Sequence, residues 1–228
     1  MKEILIGTNY DPIKITVRNE SRDDRAVVGE IFKENVYRLH DNFFESGGVV
    51  LDIGANIGVF TLAVLLRAKN NGAPVTIYAI EPEPHNLELL KQNLAQNDWL
   101  VGDSEVIIVE QGLSDRSGVA FISDEHGGSR LSSEGAEIDL ITLDQLVKEE
   151  NIDDIIFAKF DIEGSEVPTI LAASDETIDK IHRSAIEFDD HNGLDKFAEV
   201  INRFGRHCQI NTLGVPARGC YIYTERFK

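Results

Sequence analysis

Short continuous apolar runs alternate along the chain with stretches whose apolar positions recur every three or four residues. The runs are 49–53 (VVLDI), 75–80 (VTIYAI), 106–109 (VIIV), 155–160 (IIFAKF) and 184–188 (SAIEF). Runs this short and rich in Val and Ile predict strands buried on both faces, as in a parallel sheet. Between them, leucines at 87, 90 and 94 mark one face of a helix over 84–96. Helices are also predicted over 59–67, 143–149 and 194–204. Strands that alternate with helices in this way predict crossover connections, with helices on both faces of the sheet.

The ends of the chain read differently. Residues 207–213 and 220–226 alternate apolar with polar, and the turn-rich stretch 214–219 joins them as an antiparallel hairpin. The fold expected is therefore α/β and Rossmann-like: a seven-stranded mixed sheet of five parallel strands plus a C-terminal antiparallel hairpin. Ser21 suits the N-cap of a helix running to about residue 40. Residues 1–45 then form a lid-like segment ahead of a core over 46–228, all within one domain, 1–228. Between the third and fourth runs lie turn signals (DRSG, HGGS) ahead of the helix at 143–149.

Composition removes several function classes. Asp and Glu number 40 against 22 Lys and Arg, a formal charge of −18 that opposes contact with phosphate backbones. No nucleic-acid partner is expected. No apolar run approaches the roughly 20 residues of a membrane helix. No cleavable apolar segment opens the chain, so no membrane association is expected and the cytoplasm is the default compartment. Cys208 and Cys220 are the only cysteines, too few for a disulfide framework, and read as small apolar residues in late strands.

The chemistry concentrates at strand ends. Asp52-Ile-Gly54-Ala55-Asn56-Ile-Gly58 falls directly between a buried strand and a helix. Its glycines permit a sharp turn and close approach of a ligand, and the crevice of an open α/β sheet lies at this end of the strands. The spacing D-x-G-x-x-x-G differs from the dinucleotide loop G-x-G-x-x-G, and a leading acid suits an ammonium group better than a pyrophosphate. Glu81 closes the second run and Pro82 follows it; an acid at that position hydrogen-bonds ribose hydroxyls. Trp99, Phe43 and Phe44 could line a pocket, although aromatic residues are more often core.

Taken together, VLDIGANIGVFT, YAIEPEPHNLELLKQNLAQN, LSDRSG, ITLDQL and AKFDIEGSE resemble, in order and spacing, the FkbM-type methyltransferases. These belong to the class I S-adenosylmethionine-dependent fold, and the likeness spans about 49–189. It implies that Asp52, Gly54, Ala55, Asn56 and Gly58 hold the methionine part of S-adenosyl-L-methionine. It further implies that Glu81 accepts the ribose hydroxyls, that Pro82 and Asp161 also bind the cofactor, and that Gly112 and Leu113 lie near the adenine. Asp161, Glu163, Gly164 and Glu166 match the D-x-E-G-x-E of the family beside the transferable methyl, and Glu187 matches an acid after the fifth strand.

Methyl transfer needs a nucleophile held in line at roughly 3–3.5 Å from an already electrophilic carbon. A hydroxyl must also lose a proton, which a carboxylate or imidazole can take. Asp161, Glu187 and His191 are the candidate catalytic residues, and Glu163 and Glu166 the candidate substrate contacts. Asp161, Glu163, Glu187 and Asp189 are also compatible with Mg²⁺, which is not expected to be required. The reading is an O-methyltransferase acting on a small hydroxylated molecule: a sugar, glycan precursor or polyketide-type metabolite. A homo-oligomer is left open. Alternatives are an N-methyltransferase, against which Asp161-Ile-Glu-Gly stands where amine-methylating relatives often carry Asn/Asp-Pro-Pro-aromatic, and an idle cofactor-binding module. The loop spacing disfavours a nicotinamide oxidoreductase.

Overall fold

The computed structural model describes residues 1–125, 128–132, 134–188, 193–205, 208–213 and 220–226. The strands β1 (Lys2–Ile6) and β2 (Ile13–Val17) come first, then α1 (Arg22–Gly29), a π-helical turn at Glu30–Glu34 and a 3-10 turn at Asp41–Phe44. β3 (Gly48–Ile53), α2 (Val59–Asn71), β4 (Val75–Ile80), α3 (Pro84–Ala95) and β5 (Glu105–Val109) form the first half of the core. Next come β6 (Gly112–Leu113), β7 (Gly118–Glu125), β8 (Gly128–Ser132), β9 (Ala136–Ile141) and α4 (Leu143–Glu149). The chain closes with β10 (Ile155–Phe160), α5 (Glu166–Ala172), α6 (Asp175–Asp179), β11 (Arg183–Phe188), α7 (Gly193–Phe204), β12 (Cys208–Leu213) and β13 (Cys220–Arg226).

Seven strands form the main sheet in the order β12-β13-β11-β10-β3-β4-β5. The five from β11 to β5 are parallel, while β13 and β12 run antiparallel at one edge, as the alternation predicts. Both faces are covered. Phe60, Leu62 and Leu65 of α2 pack with Val50, Ile77 and Phe157 on one side. Leu51, Ile53, Ile80, Phe160 and Ile186 pack with Ile170 of α5 and Val200 of α7 on the other. Burial on both faces explains why these strands read as continuous apolar runs.

Three features depart from the sequence reading. The strands β6 to β9 form a separate sheet in the order β6-β9-β7-β8, where only turns were predicted ahead of the helix at 143–149, which is present as α4. Its core is small (Ile122, Ile138 and Leu140), so its alternation was weak beside the five apolar runs. The helix expected to reach residue 40 stops earlier. Ser21 does cap it, accepting from the Asp24 amide, but Asn35 takes a left-handed φ of 51° and ends the π-turn. The Asn35 side chain then accepts from Leu39 N at 2.9 Å and donates to Leu39 O at 3.1 Å, closing a tight loop.

The third is the depth of β2. Ile13, Ile15 and Val17 are fully buried, and β2 lies along α3. There Asn93 accepts from Thr16 N at 2.7 Å and donates to Thr16 O at 3.2 Å, while Asn97 does the same for Lys14 at 2.8 and 2.7 Å. Two asparagine side chains thus replace a neighbouring strand for a buried backbone. Among the described residues, no helix is long and apolar enough to cross a membrane.

Candidate functional site at the carboxyl rim of the sheet

The loop between β3 and α2 is folded back onto β4: the amides of Gly54 and Ala55 both donate to Ile80 O, at 3.0 and 2.9 Å. Gly54 has φ +82°, and a Cβ there would lie 1.7 Å from the carbonyl oxygen of Asp161. Only glycine fits this crossing, which brings the first and fourth core strands into backbone contact. Asp52 is fully buried beneath the loop, accepting from Thr61 Oγ1 at 2.6 Å and facing Lys159 Nζ at 3.3 Å. Both of its oxygens are therefore engaged within the protein.

Glu81 leaves the end of β4 and is 4% exposed. Its carboxylate accepts from Asn56 N at 2.8 Å, Glu83 N at 3.0 Å and Asn86 Nδ2 at 3.2 Å. Burial raises its pKa above the ordinary glutamate value despite these bonds and the Lys159 charge. Beside it, Asn56 Oδ1 and Asn86 Oδ1 are buried acceptors with no donor among the described residues. Orphaned buried acceptors of this kind are rare and fit a ligand that brings hydroxyl or amine donors. Pro82 lies against Gly112, where a Cβ would come within 3.6 Å of its ring, and Leu113 is 3% exposed next to it.

The other half of the rim is ionic. Lys159 points inward from β10 and is 3% exposed; its ammonium donates to Gly54 O at 2.5 Å and lies 3.3 Å from Asp161 Oδ2. Burial alone would lower its pKa, but Asp161 and Asp52 hold it firmly charged. The Asp161 side chain is 24% exposed, so it reaches the rim surface. Burial pushes its carboxyl up, but Lys159 and hydrogen bonds from Glu187 and Tyr37 outweigh it, and the carboxyl sits below its usual range. Tyr37 contributes a 2.6 Å bond to Oδ2.

Glu187, at the end of β11, shows the opposite shift. Burial first, then the Asp161 charge and the nearby Glu163 and Glu166, push its pKa to about 10. Lys159 and Tyr37 both lie on Asp161, so a proton shared by the pair is favoured on Glu187. Burial, then Asp161, also raises Glu30 from the π-helical turn. Glu163 has a left-handed φ of 56° and Gly164 one of 102°. Glu166 begins α5 and accepts from Ile162 N at 2.5 Å and Gly164 N at 2.9 Å, bracing this turn.

The candidates of the sequence reading therefore gather at one rim, except that His191 and Asp189 lie outside the described residues. Among the described residues, no group of three or more His, Cys, Asp or Glu is arranged to hold a metal. Phe44 is fully buried, Phe43 stacks on Phe157 at 6.1 Å and Trp99 packs beside Tyr10 at 6.2 Å, so these aromatics make core and packing contacts. The sequence reading did not single out Tyr37, Glu30 or Asn86. A lysine inside the apolar run IIFAKF was the one signal available, since a buried ammonium requires partners.

A family model described as the methyltransferase FkbM domain matches residues 52–210. AMB antimetabolite synthetase AmbE of Pseudomonas aeruginosa is 25% identical over 224 residues, covering 78% of this chain and 10% of that protein. The 31-O-demethyl-FK506 methyltransferase FkbM of Streptomyces tacrolimicus is 37% identical over 68 residues, covering 30% of this chain and 25% of the relative. The chain thus spans only a small part of the curated relatives it matches. Among solved structures, a methyltransferase FkbM from Methylobacillus flagellatus KT aligns with a TM-score of 0.53 and 21% identity, over 86% of this chain and 47% of that one.

Proposed function

The chain belongs to the FkbM methyltransferase family, and we propose that it transfers a methyl group from S-adenosylmethionine to a hydroxyl of a small molecule. The observation that carries this reading is Asp161: an ionised carboxylate at the rim surface, one strand from Gly54, fixed by Tyr37 and Lys159. The residues around Glu81 fit the cofactor, because two buried acceptors there lack donors among the described residues. Glu81, Asn56 and Asn86 would take the ribose hydroxyls, the Gly54–Gly58 backbone the methionine part, and Pro82, Gly112 and Leu113 the adenine. The cofactor, when bound, supplies an electrophilic sulfonium methyl.

The remaining work falls to the protein. Asp161 accepts the proton that an attacking hydroxyl loses, a role worth about 10²–10⁴-fold. Glu187 holds the shared proton and keeps a second negative charge from forming beside Asp161. Glu163, set by its left-handed turn at the same rim, contacts the acceptor. Asp52 and Glu166 support the two loops from below. The acceptor expected is a sugar, glycan precursor or polyketide-type hydroxyl.

The test is to incubate the protein with S-adenosylmethionine and a panel of sugars, polyketide alcohols and amines, reading products by mass spectrometry. An alcohol heavier by one methyl group supports the reading. Products only from amines would move it to nitrogen, and calorimetry showing no binding of the cofactor or its demethylated form would overturn it.

A further inference from the structure

Tyr37 lies far from every motif in sequence, yet its hydroxyl donates to Asp161 Oδ2 at 2.6 Å across 124 positions. It is 5% exposed, and its ring is boxed in: Phe60 and Tyr221 meet it edge-on at 5.4 and 5.6 Å, and Lys159 Nζ lies 5.4 Å from the ring centre. The loop that delivers it is braced on both sides. Asn35 and Arg38 both take left-handed backbone angles, φ 51° and 50°, a conformation that costs a non-glycine residue free energy. Asn35 ties the loop to Leu39, Tyr223 donates its hydroxyl to Val36 O, and Arg38 stacks on the Tyr223 ring at 4.1 Å. Strain and bracing converge on presenting a single hydroxyl to a single carboxylate.

We infer that Tyr37 is a positioning residue for methyl transfer, fixing the Asp161 carboxylate from the N-terminal segment and so making that segment part of the reaction centre. The inference rests on the reading of Asp161 as proton acceptor. With Tyr37 and Lys159 both on Oδ2, the carboxylate cannot rotate about its χ2 without breaking a bond to a charged acceptor. The phenol is a dependable donor, because burial and then the Asp161 charge raise its pKa and keep it protonated. The other titratable groups around Asp161 come from every neighbouring element. They are Lys159 of β10, Asp52 of β3, Glu187 of β11, Tyr221 of β13, Glu30 of the π-turn, and Glu163 and Glu166 after β10. Of these, Lys159 and Glu187 stabilise its charge through hydrogen bonds, as Tyr37 does.

Two variants test this with the ring packing preserved: Tyr37→Phe, and 3-fluorotyrosine placed at 37, whose more acidic hydroxyl is a stronger donor. The first readout needs no acceptor: the ¹³C carboxyl titration of Asp161, identified by its loss in Asp161→Asn. Tyr37→Phe should raise the proton affinity of Asp161 about tenfold, one pKa unit, and the fluorinated residue should lower it. With an acceptor in hand, Tyr37→Phe should lower kcat at least about tenfold and shift its acid limb to higher pH, leaving the cofactor Kd within about twofold. An unmoved Asp161 titration in both folded variants, or an unmoved kcat and acid limb, overturns the inference. Failure of the methyl-transfer reading shows separately, as absence of cofactor binding with the Asp161 shift still present.

Discussion

The backbone amide of Asn56 donates to Glu81 Oε2 at 2.8 Å, joining the loop after β3 to the acid that ends β4. The carboxylate that would face the cofactor is thus also the acceptor that shapes the cofactor loop. Glu81→Gln keeps the volume but loses a charged acceptor, so cofactor binding should weaken by about 1.5–3 kcal/mol. Calorimetry on the variant, alongside its circular-dichroism spectrum, measures this. An unchanged Kd in a folded variant would remove Glu81 from the site.

The two acids over β10 and β11 should respond differently to amide substitution. Asp161→Asn removes the ionised acceptor and should lower kcat by about 10²–10⁴-fold with little change in cofactor Kd. Glu187→Gln mimics the protonated form that the raised pKa of Glu187 favours, so kcat should fall by less than ~10-fold. Equal and large losses from both would show that Glu187 is the acceptor of the proton.

The same raised pKa has a consequence for stability. The native state binds the Glu187 proton more tightly than the unfolded chain does, up to a pKa of about 10. Stability contributed by this group is therefore complete below the ordinary glutamate range and declines as pH rises from there towards 10. Urea unfolding at pH 6 and pH 9 should show wild type losing more stability than Glu187→Gln over that interval. Parallel losses would remove Glu187 as the cause.

Gly54→Ala and Gly72→Ala separate backbone strain from close approach. Both glycines have positive φ, +82° and +65°, but nothing lies within 4 Å of a Cβ at Gly72, whereas one at Gly54 meets the Asp161 carbonyl. Gly72→Ala should cost about 1 kcal/mol. Gly54→Ala should cost at least about 1–3 kcal/mol from strain alone, with more from the collision, and should abolish cofactor binding. Urea midpoints and calorimetry of the two variants give the comparison; equal costs would mean that the crossing tolerates a methyl group.

The main sheet was legible because its strands are buried on both faces and leave unbroken apolar runs, and Asp52, Gly54, Glu81 and Asp161 were legible because they stand at the ends of those runs. Tyr37 was not, since its partner is 124 positions away and nothing local distinguishes it from a core tyrosine. Nor was β2 legible as a buried strand, because the edge it turns away from β1 is met by side chains, Asn93 of α3 and Asn97 just beyond it. The sheet of β6 to β9 escaped notice for lack of a large core. The roles of Asp161 and Glu187 depend on burial and mutual distance, which residue type does not report.

Asp52 and Lys159 are register partners in β3 and β10, 107 positions apart. On a ribosome, β3 therefore emerges and can pair with β4 long before its other neighbour exists. During that interval its edge is open to foreign strands, and Asp52 waits without the cation that makes its burial tolerable. Docking of β10 closes the edge, neutralises the acid and seats Gly54 against Asp161 in one event. Closure of that edge and completion of the rim therefore depend on one and the same strand pairing.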